Sequence, residues 1–278
     1  MDATTTLILI IGFWFLFYGA VKTFKLEGEG LEVTPYYAVF KSTALNGLIN
    51  RLAGWKPRFW RLFGNVGVVL GVVQAAFASY LLTINLYRFL FKPEAALPIQ
   101  PIIAGVTISG ESLPWFLIAA GVVILTHELS HGVQCVIEGI HVKSAMALYA
   151  VVTFGGAVEP DEEDLNRAPL MTQLRIFSSG SMINLVTAVL TFVVLVTVGT
   201  MLPDTLLTFL VWLVNISFNL AVMNMLPLGP LDGGLVWKAV TNTTRFGKPF
   251  QAAATYAVLL LIVGNIVLSL GKFGLVQL

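Results

Sequence analysis

Apolar residues along this chain fall into long unbroken runs rather than the short periodic stripes of a water-soluble domain. Crossing roughly 30 Å of hydrocarbon at 1.5 Å per residue takes about 20 apolar residues. Six stretches are long enough, near 5–21, 65–87, 114–137, 176–200, 206–228 and 252–270. They predict an all-α polytopic membrane protein with six transmembrane helices. Directly after the third stretch, the segment Val142 to Val158 is rich in Val, Ala, Tyr, Thr and Phe. That mixture suits a short membrane-associated β segment.

The polar punctuation refines this layout. Met1-Asp2-Ala3-Thr4 carries no basic residue, and Lys22 and Lys25 follow the first run, so it reads as an anchoring helix and not as a cleavable signal peptide. Segment 36–63 interleaves Tyr36, Tyr37, Phe40, Trp55, Phe59 and Trp60 with basic residues, a composition suited to the headgroup region. Pro93 to Ser112 reads as an ordered loop. Without repeats, or a loop long enough for an inserted soluble domain, residues 1–278 are expected to form one integral-membrane domain.

Composition agrees: 57% of residues are hydrophobic and 11% charged, against about a quarter charged in soluble domains. The net charge of +1 gives no overall pull toward nucleic acid. Where the charge sits is more informative, because short cytoplasmic loops retain Lys and Arg. With six spans, thirteen of the sixteen basic residues fall on one side, leaving only Arg88, Lys92 and Lys272 opposite. Both termini are therefore expected outside, and the loops after the first, third and fifth stretches in the cytosol. Cys135 is the one cysteine, which excludes an intrachain disulfide and a zinc site built from a cysteine cluster.

The chemistry begins inside the third stretch, at His127-Glu128-Leu129-Ser130-His131. Residues four apart lie one above the other on a helix, so His127 and His131 can offer imidazole nitrogens to one metal while Glu128 stands beside it to polarise a water. Polar groups in a membrane helix are costly and usually functional. A catalytic zinc generally takes three protein ligands and keeps an open position. His141, Glu138, Glu159, Asp161, Glu162, Glu163 and Asp164 are available in the polar loop that follows. Asp232 differs from these, ending an apolar helix in Asn224-Met225-Leu226-Pro227-Leu228-Gly229-Pro230-Leu231-Asp232-Gly233-Gly234, where prolines and glycines can bring a carboxylate close. On the predicted topology the two stretches run parallel, and their polar groups lie at similar depth in the cytosolic half. Cys135, one turn past His131, is read as packing rather than as a ligand.

A His-Glu-x-x-His on one membrane helix, with Asn-x-x-Pro and Leu-Asp-Gly about a hundred residues later, resembles the site-2 proteases. The resemblance covers about 114–234. It extends to Gly155-Gly156-Ala157-Val158-Glu159-Pro160 and to Gly180-Ser181-Met182-Ile183-Asn184, where family members often carry proline at the serine. It implies one Zn2+ per chain held by His127, His131 and Asp232, with Glu128 as the catalytic residue. It also implies an intramembrane zinc metalloprotease that hydrolyses peptide bonds within or near transmembrane segments of membrane proteins. No room remains for the PDZ domain of some members. Asn184 and Asn224 are candidates for holding the oxyanion or the substrate backbone, or for plain interhelical hydrogen bonds. The Val142 to Val158 strand could pair along its open edge with an unwound substrate. A different class, a non-proteolytic helix-binding or metal-transporting membrane protein, would need polar groups along several helices, and the first, second and sixth stretches are nearly free of them.

Overall fold

The computed structural model describes residues 3–28, 30–103, 107–150 and 153–274. Its elements in chain order are α1 (Ala3–Thr23), β1 (Leu31–Val33), β2 (Ala38–Ser42), α2 (Asn46–Gly54), α3 (Pro57–Phe91), α4 (Leu113–Ile137), β3 (Val142–Ala150) and β4 (Thr153–Pro160). There follow α5 (Glu162–Arg167), α6 (Leu170–Val198), α7 (Asp204–Met223), α8 (Asp232–Thr241) and α9 (Gly247–Phe273). The molecule is mostly helical, with one small antiparallel sheet.

Among the described residues five helices are long and apolar enough to cross a membrane: α3, α4, α6 with its 3-10 extension to Met201, α7 and α9. The sixth expected span, 5–21, coincides with α1. Its described apolar stretch, Ile10–Thr23, is shorter than a crossing. At 35 residues α3 is about 52 Å long, well beyond the hydrocarbon thickness, so the end carrying Arg58 and Arg61 extends past the apolar layer. In contrast α7 stops at Met223, short of the expected 228. Pro227 cannot supply a helical N–H, so apolarity outlasts the helix there.

The β structure is larger than expected, forming a four-stranded sheet in the order β1-β2-β3-β4. The expected segment is a hairpin, with β3 and β4 paired from Val142↔Pro160 to Ala150↔Thr153; its residues 151 and 152 lie outside the described residues. Two more strands come from ahead of the membrane helices, with β2 pairing Ala38↔Tyr149 through Ser42↔Ala145. Part of the expected interfacial segment 36–63 is thus a strand. The β1–β2 turn is fixed by Thr34, whose Oγ1 accepts from the Tyr36 and Tyr37 amides. Helix α1 packs on this sheet, burying Trp14 and Val21 against Val33, Ala38 and Tyr149.

At the centre lies α6, which packs against α3, α4, α7 and α8. Its buried stretch Ser178-Ser179-Gly180-Ser181 allows backbones to approach closely, as small residues do between membrane helices. The expected acidic helix start is present: Asp161 caps α5, accepting from the Glu163 and Asp164 amides at 3.0 and 3.1 Å. The Asp164 amide and the Lys143 ammonium hold its carboxyl below the usual carboxylate range. On the side away from this loop, Asn85 bonds Asn265 Oδ1 at 2.9 Å and both groups of Leu97, tying α3, α9 and the 93–103 connection together.

Removing Asn265 leaves one buried N–H of the Asn85 amide without its acceptor. Asn265→Ala is expected to destabilise the protein by about 1–2 kcal/mol, read as a lower thermal unfolding midpoint in detergent. An unchanged midpoint would show that the bracket contributes nothing.

Candidate metal centre

His127 and His131 stand one turn apart on α4, as their spacing dictates, and face α6. A β-carbon at Gly180 would press into both rings, so glycine at this position lets the imidazoles lie against the α6 backbone. The C-terminal half of α4 meets the C-terminal end of α7, where Asn224 lies 3.3 Å from His127 Nε2. The two helices therefore run parallel, as expected. After Asn224 the chain turns through Pro227 and Pro230 and is pinned when the Gly233 amide donates to the Asn224 carbonyl at 2.8 Å. Asp232 accordingly opens the new helix α8 instead of ending the preceding one, because the prolines forbid continuation. At a helix N-terminus its negative charge is favoured by the backbone dipole.

Three atoms converge. The Nε2 atoms of His127 and His131 lie 3.1 Å apart, and Asp232 Oδ2 lies 3.3 Å from each. A cation binding such ligands tetrahedrally at 2.0–2.1 Å would hold them roughly 3.3 Å apart, so this near-equilateral triangle fits one metal ion. All three side chains are largely buried, where uncompensated polar groups are costly.

The far sides of the rings are also engaged. His131 Nδ1 donates to the Ile176 carbonyl at 2.7 Å, leaving Nε2 free as a ligand atom. His127 Nδ1 faces the Asn184 amide at 2.8 Å, while Asn224 donates to Asp232 Oδ2 at 2.8 Å. Such partners orient metal ligands. The Ile176 carbonyl was not foreseeable from side-chain types, because it is main chain; Gly180 lay within the quoted Gly-x-x-x-Asn but carried no sign of its packing role.

A cavity of about 510 Å³ opens beside the triangle, lined by Glu128, His131 and Asp232, by Gly156, Ala157 and Val158 of β4, and by residues of α5, α6 and α8. Glu162, Asn166, Lys238 and Asn242 supply polar groups to its lining. The Glu128 carboxylate has no hydrogen-bond partner among the described residues, and its side chain packs against β4, leaving no space for a β-carbon at Gly156. Neither Asn184 nor Asn224 lines this cavity. Of the other candidates, His141 is exposed and stands outside the cluster. Glu138 pairs with Arg175 and Thr172. Cys135 packs in an apolar cluster with Ile49, Val133 and Ile176.

A profile described as Peptidase family M50 matches residues 115–206 and 199–269, which together cover more than half of the chain. The match contains every residue of the triangle, Glu128, Gly180 and both asparagines.

The packing at Gly180 is directly testable. Gly180→Val should force the rings apart and lower bound metal per chain at least tenfold by elemental analysis, a loss comparable to removing a group that orients a ligand. Full metal content would contradict the packing described.

Proposed function

The chain belongs to peptidase family M50, the site-2 protease family of membrane metalloproteases, and from that membership we propose that it is a zinc endopeptidase cutting other membrane proteins within or near their transmembrane segments. The observation that carries this reading is the buried triangle of His127, His131 and Asp232 with the unpartnered Glu128 in the same cavity. Two imidazoles and a carboxylate form a donor set suited to zinc.

When bound, zinc supplies Lewis acidity toward a water and a peptide carbonyl. Glu128 takes the proton of the attacking water on its carboxylate and returns it to the leaving amide nitrogen, which a free carboxylate in an open cavity can do. His131 is held ready by the Ile176 carbonyl. For His127 to offer Nε2, its Nδ1 must keep a proton and donate it. Asn184 is fully buried with Nδ2 toward that nitrogen, while its Oδ1 has no partner. Turning the amide half a revolution puts Oδ1 on the ring N–H and gives the oxygen its hydrogen bond. Asn184 thereby fixes the tautomer of His127, and Asn224 fixes Asp232. This placement favours a positioning role for both over contact with substrate.

A peptide bond inside a helix is shielded by its own hydrogen bonds and must be unwound to reach Glu128. An extended backbone then needs new partners. Strand β3 is flanked on both sides, so it has no free edge to offer. Strand β4 is the last of the sheet, and Gly156 to Val158 face the cavity beside Glu128, so substrate pairs along β4. The uneven distribution of Lys and Arg supports a cavity opening toward the cytosol and, with α1 counted as a sixth span, both termini outside.

Three outcomes follow for the purified protein. Glu128→Ala should retain zinc and lose cleavage of a membrane-spanning substrate, whereas Asp232→Ala should lose zinc and His141→Ala should keep it; equal cleavage by wild type and Glu128→Ala would refute the assignment. Zinc affinity should fall about 10–100-fold in Asn184→Leu and survive in Asn184→Asp, which still accepts a hydrogen bond; equal loss in both would remove the tautomer role. Proline placed singly along 154–158 should abolish cleavage at alternate positions whose variants keep the wild-type melting temperature; a uniform response would argue against edge pairing.

A further inference from the structure

No Asp or Glu occurs between Glu32 and Glu94, a stretch that contains β2, α2 and the whole of α3. Within it, Arg51, Lys56, Arg58 and Arg61 crowd into eleven positions at the end of α2 and the start of α3, and all four are exposed. Elsewhere Lys41 reaches Glu159 and Arg175 reaches Glu138. The four cations of 51–61 have no carboxylate partner among the described residues. Trp55, 58% exposed, and Phe59, 48% exposed, lie between them, with Leu62 61% exposed one position beyond Arg61. Arg58 and Arg61, three apart, share one side of α3. Unpaired cations interleaved with exposed aromatic rings, where a membrane helix leaves the apolar layer, complement a phosphate-bearing lipid surface: the charges meet the headgroups and the rings sit beneath them.

The patch is joined mechanically to the metal-binding helix. On its buried side α2 presents Ile49, 1% exposed, to Gly132, the residue after the ligand His131. A β-carbon at Gly132 would lie 2.7 Å from Ile49 Cδ1, so the two helices touch at that point without slack. Asn46, at the other end of α2, donates to the carbonyls of Val142 and Lys143 at 3.2 Å, holding the start of β3. One short helix therefore braces both the ligand-bearing end of α4 and the hairpin that lines the cavity, while its exposed side and the turn after it carry cations with no carboxylate partner among the described residues.

We propose that Arg51, Lys56, Arg58 and Arg61 form a binding site for anionic phospholipid headgroups, and that lipid bound there holds α2 against α4 and β3. The consequence for catalysis rests on the reading of the site given above. Binding itself does not. An anionic lipid at this patch is a ligand of the braced conformation and stabilises it by mass action, increasingly as lipid concentration rises above Kd.

Two measurements on the full chain test this, neither of which needs proteolysis. In native mass spectrometry from mild detergent with equal phosphatidylglycerol and phosphatidylcholine, wild type should retain phosphatidylglycerol preferentially. The preference should fall as salt rises, and should drop by at least tenfold in both Arg51→Gln/Lys56→Gln and Arg58→Gln/Arg61→Gln, given roughly fivefold per basic residue. Equal retention of the two lipids by wild type, or undiminished preference in both variants, overturns the site. Hydrogen exchange in nanodiscs then reads the brace: equal parts of the two lipids, compared with phosphatidylcholine alone, should slow exchange in α2 and around Gly132 of α4. Ile49→Ala should keep the protection of α2 and lose that of α4. Protection of α4 that is absent in wild type, or unaffected by Ile49→Ala, overturns the coupling. A failure of the protease reading would appear separately, as absent zinc and absent cleavage with these lipid readouts intact.

Discussion

Two imidazoles and a carboxylate meeting in a membrane interior are the constraint around which this structure is organised. Each would be costly to bury alone, and the carboxylate most of all. Their convergence at spacings a single tetrahedral cation requires means that one bound ion would offset all three burials. The surrounding architecture follows. Gly180 lets the rings lie on the α6 backbone, the Ile176 carbonyl and Asn184 take up the nitrogens that point away from the triangle, and Asn224 steadies the carboxylate. The break after α7 exists to turn Asp232 back: a helix continued through 227 would carry the chain past the histidines.

The second requirement is access. On the proposed function, a protease that acts on membrane helices must admit water and an extended peptide to a site that is otherwise packed with helices. The sheet is suited to both needs. Its last strand would offer the edge for backbone pairing, and at Gly156 that strand packs against the Glu128 side chain. The cavity between β4, α5, α6 and α8 reaches the triangle and carries polar side chains in its lining. Helix α2 and the loop cap at Asp161 hold the two ends of the hairpin, so the cavity wall is anchored on the same side as the ligands.

How much of this was legible depends on the range of the interaction that fixes each feature. The histidine pair was readable because the α-helical period places residues 127 and 131 on one face. Asp232 stood out because prolines and glycines around it announce a backbone that departs from a helix, although the same prolines end α7 at Met223 and make Asp232 the start of α8. The four-stranded sheet was only half visible. Its hairpin is local, but β2 pairs with β3 across more than a hundred residues, and strands of three and five residues leave little periodicity to detect. The role favoured for Asn184 was hidden for a related reason: whether an asparagine grips substrate or a histidine ring is decided by which helix lies opposite. At the first stretch apolarity alone gave no sign that α1 packs on the sheet, because that contact too is made with residues distant in sequence.

The account stands or falls on the identity of the ligand set. Zinc K-edge X-ray absorption of the purified wild-type protein reads it directly. The account predicts a first shell of nitrogen and oxygen only, at about 2.0–2.1 Å, with the outer-shell scattering of two imidazole rings. A sulfur scatterer near 2.3 Å, as a Cys135 thiolate would give, or a shell with one imidazole or none, would contradict it.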